Sequence, residues 1–313
     1  MLKALLLGLA ASFFFSITFV LNHAMQSSGG HWIWTASLRY VFMLPVLFLL
    51  TLRNGRYRIV LNAIKTRPVQ WFLWSTVGFG LFYLPICVAA SYGPSWMVAS
   101  TWQVTIAAGI LLTPQFRREE NGRLVSHAIP LRQLLISATI IIGVFLVQYT
   151  DGSVEEIKKN AAVIAFILIA AFSYPLGNRK MLALVPDSLG TLDRVFGMTL
   201  CSMPFWGALM AGGLVTRSYP TADQAYQTLI VALSSGVIAT LLFFKATELA
   251  KRDVRHLAVI ESTQAGEVVF TLLLGLLLFG DKAPTLSAVV GIAVIVLGIV
   301  LNGLTALPKS GNA

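Results

Sequence analysis

Ten apolar runs, each about twenty residues long, set the rhythm of this chain, with short polar connections between them. Each is long enough for a helix to cross a ~30 Å hydrocarbon core. The pattern predicts spans at Leu2–Leu21, Trp32–Leu52, Val69–Ala90, Ser95–Gln115 and Leu131–Tyr149. Five more are predicted at Ala161–Met181, Leu189–Gly213, Gln227–Ala250, Leu257–Phe279 and Pro284–Leu304. The expected fold is all-α and integral to a membrane. The first run follows a single Lys3 and has a signal peptide's length, but no small-residue cleavage site follows it, so it is read as a retained span.

The ninth run breaks the apolar pattern most. It carries Glu261, Gln264 and Glu267, and an ionisable side chain in hydrocarbon costs at least ~2.5–3.5 kcal/mol. On one continuous helix these three would share an arc of roughly 120°, with Thr271 near the Gln264 face and Ile260, Val269 and Leu274 opposite. Glu267 would then lie roughly 15 Å in from Leu257, at mid-depth. Such a polar face must look into a bundle or a cavity.

Composition adds the orientation. Of 313 residues 57% are hydrophobic and 12% charged, with net charge +10. Sixteen of the 23 Lys and Arg fall in loops on one side, from Lys3 to Lys309. The other side holds only Lys158, Lys159, Arg217 and Lys282. This bias puts both termini in the cytoplasm and makes the positive charge a topology signal rather than a nucleic-acid footprint. Cys87 and Cys201 sit in apolar runs without metal-ligand neighbours and read as packing residues.

The chain reads as two copies of a five-span unit. Leu38-Arg39-Tyr40-Val41-Phe42-Met43 matches Asp193-Arg194-Val195-Phe196-Gly197-Met198. The preceding runs end in Asn22 and Asn178, and Thr101-Trp102-Gln103 parallels the Thr263–Glu267 stretch, putting Gln103 opposite Glu267. An odd number of spans per copy inverts one copy against the other, an arrangement that in transporters puts the binding site at the repeat interface. The expected units are residues 1–152 and 153–307, with a cytoplasmic tail at 308–313.

The stretch Glu267-Val268-Val269-Phe270 through Leu277-Leu278-Phe279-Gly280-Asp281, then Pro284-Thr285 and Val290–Gly298, resembles the drug/metabolite transporter superfamily, built from two EamA-type domains. That family commonly shows Glu-Pro near the start of its ninth helix and Leu-Gly-Glu at its end. Here Val268 and Asp281 replace the proline and the second glutamate. The divergent first half is similar to the multidrug resistance efflux branch. The resemblance implies a ten-helix basket around a central cavity and solute transport without ATP. No phosphate-binding Gly-x-x-x-x-Gly-Lys-Ser/Thr loop is present in the sequence.

Further candidates lie around this frame. Arg39 is positioned to bind an anionic group or to hold Glu267. Arg194 is expected to pair locally with Asp193, and Lys245 with Glu248, one turn on, or with Glu261 as a cytoplasmic gate. Trp102 and Tyr83 could line an aromatic cavity for organic cations, with Gln264, Gln103, Thr101 and Thr271 as hydrogen-bonding partners. Trp71 and Trp96 read as interface anchors, and Tyr174-Pro175 as a break in the sixth span. His23 and His31 read as solvated loop residues. Gly266 and Gly275 would admit a neighbouring helix or the solute, and Gly291 and Gly298 would pack helices within a monomer or between two copies.

No nucleophile or metal constellation points to an enzyme, and no cofactor is implied. The leading reading is a secondary exporter of a small organic solute in a bacterial inner membrane, with Glu267 as the proton-coupling group for organic cations. Its alternatives are an exporter of amino acids or other metabolites, and a non-transporting membrane subunit.

Overall fold

The computed structural model describes residues 2–53, 55–115, 117–120, 123–126, 129, 131–149, 153–186, 188–250, 260 and 262–305. Among these the chain is helical apart from one antiparallel hairpin, β1 (Arg117–Glu120) with β2 (Arg123–Ser126), which joins two helices. Seven helical segments are long and apolar enough to span a membrane. They are α1 (Leu2–Ser27), α2 (Trp32–Arg53), the stretch Pro68–Ala89, α8 (Leu131–Gln148), α9 (Val154–Leu184), α10 (Thr191–Val215) and the stretch Ala222–Phe243. A short amphipathic helix, α3 (Tyr57–Thr66), lies in the basic connection after α2.

Three expected spans are shorter or interrupted. The fourth is two eight-residue helices, α6 (Ser95–Trp102) and α7 (Val104–Leu111), meeting at Gln103. The ninth is helical as α13 (Ala265–Leu278) after a turn at Thr263–Gln264, so Gln264 stands just before the helix that carries Glu267 and Thr271. The tenth is α14 (Leu286–Thr305), apolar through Leu301. Two long segments also carry an internal π-helical stretch. Thr76–Gly80 separates α4 (Pro68–Ser75) from α5 (Leu81–Ala89), and Ala232–Ala239 separates α11 (Ala222–Val231) from α12 (Thr240–Ala250).

Packing follows from small residues at crossings and large apolar ones facing out. A Cβ on Gly143 would meet the Gly291 carbonyl at 2.7 Å, and one on Gly291 would meet the Gly143 carbonyl at 2.6 Å. A Cβ on Gly298 would likewise run into Thr139, and into Ile140 at 2.9 Å. The small-residue stripe of α14 is therefore used inside one chain, against α8. Leu135, Phe145, Leu277 and Leu297 are exposed, as side chains that face lipid are.

Four expectations are corrected. Trp71 and Trp96 are interior, Trp71 against Gly197 and Trp96 donating its indole N–H to the Lys282 carbonyl at 2.8 Å. Asp193 pairs with Arg56 rather than Arg194. The carboxylate accepts from Arg56 Nε at 2.6 Å and from the Gly190 N–H at 2.9 Å, capping α10. That hydrogen bond, and then the charge of Asp193, hold the Arg56 guanidinium above its ordinary pKa. Helix α9 runs through Tyr174-Pro175 unbroken. Proline cannot donate to the Ala171 carbonyl, and Thr105 does so instead, its hydroxyl 3.1 Å away. His23 is half-buried, with Nδ1 3.0 Å from the Ala90 carbonyl and Nε2 3.6 Å from Asp281.

Candidate functional site

Two helix interruptions converge on one cavity, and local side-chain chemistry makes both. Around Gln103, the side chains of Ser100, Thr101 and Gln103 each donate to the carbonyl four residues back, at 2.6, 2.7 and 3.2 Å. Such back-bonding competes with the helix ladder and bends it. The backbone tightens as well, with Gln103 N–H on the Ser100 carbonyl and Ile106 N–H on the Gln103 carbonyl. In the ninth segment Thr263 does the same, its hydroxyl and its N–H both reaching the Ile260 carbonyl. Glu267 then falls in the first turn of α13, where unpaired N–H groups favour a carboxylate.

The cavity between the helices holds about 110 Å³. Glu267 and Gln264 come to it from the ninth segment, and Arg39 and Tyr40 from α2. Tyr83, Phe82, Trp102 and Tyr174 supply an aromatic wall, in which the Phe82 ring lies 5.2 Å from Trp102 and 4.7 Å from Tyr174. Glu267 and Arg39 are each only 6% exposed. Glu267 lies within electrostatic reach of the Gln103 side-chain amide, whose N–H₂ donates to the Ala99 carbonyl and whose Oε1 is buried without a partner. Tyr174 lies within electrostatic reach of Glu267, Arg194 and Arg39.

Arg39 does not hold Glu267. Its guanidinium carbon lies 4.1 Å from the Tyr83 ring centre and 5.8 Å from that of Tyr40. Tyr83 is fixed in turn, its hydroxyl donating to Asn22 Oδ1 at 3.0 Å. Arg39 Nε has no hydrogen-bond partner, and among the described residues no carboxylate lies within ion-pair distance of Arg39. A desolvated cation over an aromatic face gains about 2 kcal/mol, less than the several kcal/mol that burying an ion costs.

The remaining candidates divide. Thr101 is buried away from the cavity and accepts from Gln148 at 2.7 Å. Thr271 is buried and its hydroxyl has no partner. Arg194 is half-buried beside Tyr174, while Lys245 is exposed. Glu261 and the Glu248 side chain lie outside the described residues. Gly266 and Gly275 admit protein rather than solute, with Ser12 against Gly266 and Asp281 and Ser95 against Gly275. Asp281 accepts from the Ser95 N–H at 3.0 Å and from its hydroxyl. Sequence reading missed Asn178 and Thr18 as lining residues and Asn22 as the support of Tyr83. The matching positions of Asn22 and Asn178 at the ends of the runs before Leu38–Met43 and Asp193–Met198 were the available signal.

Comparison with known proteins follows this geometry. The family described as "Putative multidrug resistance efflux transporter" (EmrE) matches residues 2–307. "Uncharacterized protein YjlA" of Bacillus subtilis (strain 168) is 43% identical over 98% of this chain and 96% of its own length. A Shouchella clausii protein described as "Uncharacterized 42.1 kDa protein in intracellular alkaline protease 3'region" is 44% identical over 85% of this chain and 70% of its own. A solved structure described only as "Crystal structure of protein" aligns over 97% of both chains with a TM-score of 0.63 at 15% identity, a likeness of fold alone.

Proposed function

The chain belongs to the EmrE-like multidrug resistance efflux family of the drug/metabolite transporter superfamily, and from that premise we propose that it is a secondary exporter of a small organic solute bearing a positively charged nitrogen. The solute sits in the central cavity and exchanges with a proton at Glu267. One observation carries this reading: a buried carboxylate stands where two interrupted helices meet a cavity. Interrupted segments at corresponding positions of two repeats mark transporter binding sites.

The Gln103 amide suits both states of Glu267. Its N–H₂ keeps a second proton beyond the one given to the Ala99 carbonyl, free to serve a carboxylate, and its unpartnered Oε1 can accept from the protonated acid. A cationic group entering the cavity replaces that proton as the partner of the charge. The aromatic wall then holds the solute's body.

The architecture behind this reading is ten spans in two inverted units, residues 1–152 and 153–307, with both termini cytoplasmic in a bacterial inner membrane. Its support is the packing. Helix α1 lies on the π-helical stretch, α12 and α13, as α9 lies on α4, α5, α6 and α7, while α2 meets α10 and α8 meets α14. Exchanging the first five segments with the last five maps these pairings onto one another. The π-helical stretches and the interruptions repeat in the same way.

The test is labelled-solute counterflow in proteoliposomes across a panel of lipophilic cations and amino acids. Wild-type protein exchanges at least one member. A panel moved no faster than in protein-free vesicles rejects the transport reading.

A further inference from the structure

Resting on that reading, we infer that the cavity has a second subsite, built on Arg39, that binds a carboxylate of the solute, so that the substrate class is amphoteric with an aromatic or apolar body. Three observations carry it. Arg39 lines the cavity, is almost fully buried, and has an Nε without a partner. Among the described residues no acid neutralises it. Its position is fixed from behind, because Tyr83 lies under the guanidinium and is itself tethered to Asn22.

A purely structural arginine would spend its fork on backbone carbonyls or a carboxylate. This one lines the cavity, against an aromatic face that orients the guanidinium without neutralising it. A guanidinium with free N–H groups matches a carboxylate through two parallel hydrogen bonds. Glu267 lines the same cavity and is not paired with Arg39. An ammonium at Glu267 and a carboxylate at Arg39 would satisfy both buried charges at once. Trp102, Phe82 and Tyr174 would enclose the body between them. A simple monocation leaves Arg39 unsatisfied, so the site discriminates against it.

The experiment measures binding and transport separately, on purified full-length protein. Isothermal titration in detergent compares phenylalanine with its methyl ester and its amide, which keep the amine and the ring but lose the carboxylate. Counterflow in proteoliposomes uses the same three. Wild-type protein is expected to bind phenylalanine on the order of a hundredfold more tightly than the ester or amide. Arg39→Gln should erase that preference, and Arg39→Lys should restore part of it, since the charge returns without the fork. Size-exclusion profiles and helical circular dichroism check that each variant is folded. The wild-type preference stands as a test even if neither variant folds.

Carboxylate-dependent binding that requires Arg39, with the whole counterflow panel moved no faster than in protein-free vesicles, supports this subsite while removing the transport reading. Ester or amide binding as tight as phenylalanine overturns the subsite whatever is transported. So does failure of phenylalanine to bind, or an undiminished phenylalanine preference in folded Arg39→Gln.

Discussion

Thr105 and Pro175 illustrate how single residues here are legible only in pairs. Pro175 in the sixth span predicts a break, because its ring removes the N–H that the Ala171 carbonyl needs. The helix continues because Thr105, seventy residues earlier in the chain, donates to that carbonyl. Thr105→Val should therefore cost about 1 kcal/mol of stability, the usual value of one hydrogen bond. In a Pro175→Ala background the N–H returns and the same substitution should cost less. Thermal unfolding of the four proteins closes that double-mutant cycle, and equal costs in both backgrounds would show that the two residues act independently. Asp193 has the same character. Its neighbour in sequence is Arg194, but Arg56 is its partner in space. Polar residues in apolar runs announce that a partner exists, and only the fold identifies it.

At the scale of elements, the helices were largely written in the apolar runs, whereas the interruptions were not. Hydrophobicity sums over twenty residues and tolerates a turn; the turns at Gln103 and at Thr263–Gln264 arise from a few side chains claiming their own helix's carbonyls. Glycine spacing was more informative. Gly143 and Gly291 bring α8 and α14 into backbone contact, so Gly291→Leu must push the helices apart and should cost about 1–3 kcal/mol or more. In contrast, a Cβ at Gly207 in α10 meets nothing within 4 Å. Gly207→Ala should be neutral or stabilising by up to about 1 kcal/mol, from helix propensity. Thermal unfolding in one detergent separates the pair, and a Gly291→Leu protein as stable as wild type would contradict the crossing. Trp71 and Trp96 were misread for a related reason. Tryptophan near a span end fits an interface belt or an interior contact equally well by sequence, and Gly197 and the Lys282 carbonyl decide for the interior.

For the whole molecule, the proposed repeat carries the functional reading. Aligning Thr101–Gln103 with Thr263–Glu267 in the sequence sets Gln103 opposite Glu267, and the cavity is lined by Glu267, Gln264, Arg39, Tyr83 and Trp102 of the sequence candidates. The sequence did not tell that Arg39 and Glu267 stand apart, since spacing along two distant helices fixes neither depth nor rotation. Removing the Gln103 amide should then act on coupling more than on folding. Gln103→Leu is expected to slow solute-driven proton movement about tenfold or more, since the proposed proton exchange at Glu267 uses the Gln103 amide as its hydrogen-bonding group. Rates like wild type would take Gln103 out of the mechanism.

The most direct test is solute-driven proton flux in proteoliposomes loaded with a pH-sensitive dye, comparing wild-type protein with Glu267→Gln across the panel used for counterflow. The account predicts that a solute exchanged by the wild-type protein also moves protons against its own gradient, and that Glu267→Gln abolishes this flux while the protein remains folded. Proton flux that survives Glu267→Gln, or wild-type exchange that moves no protons, would contradict it.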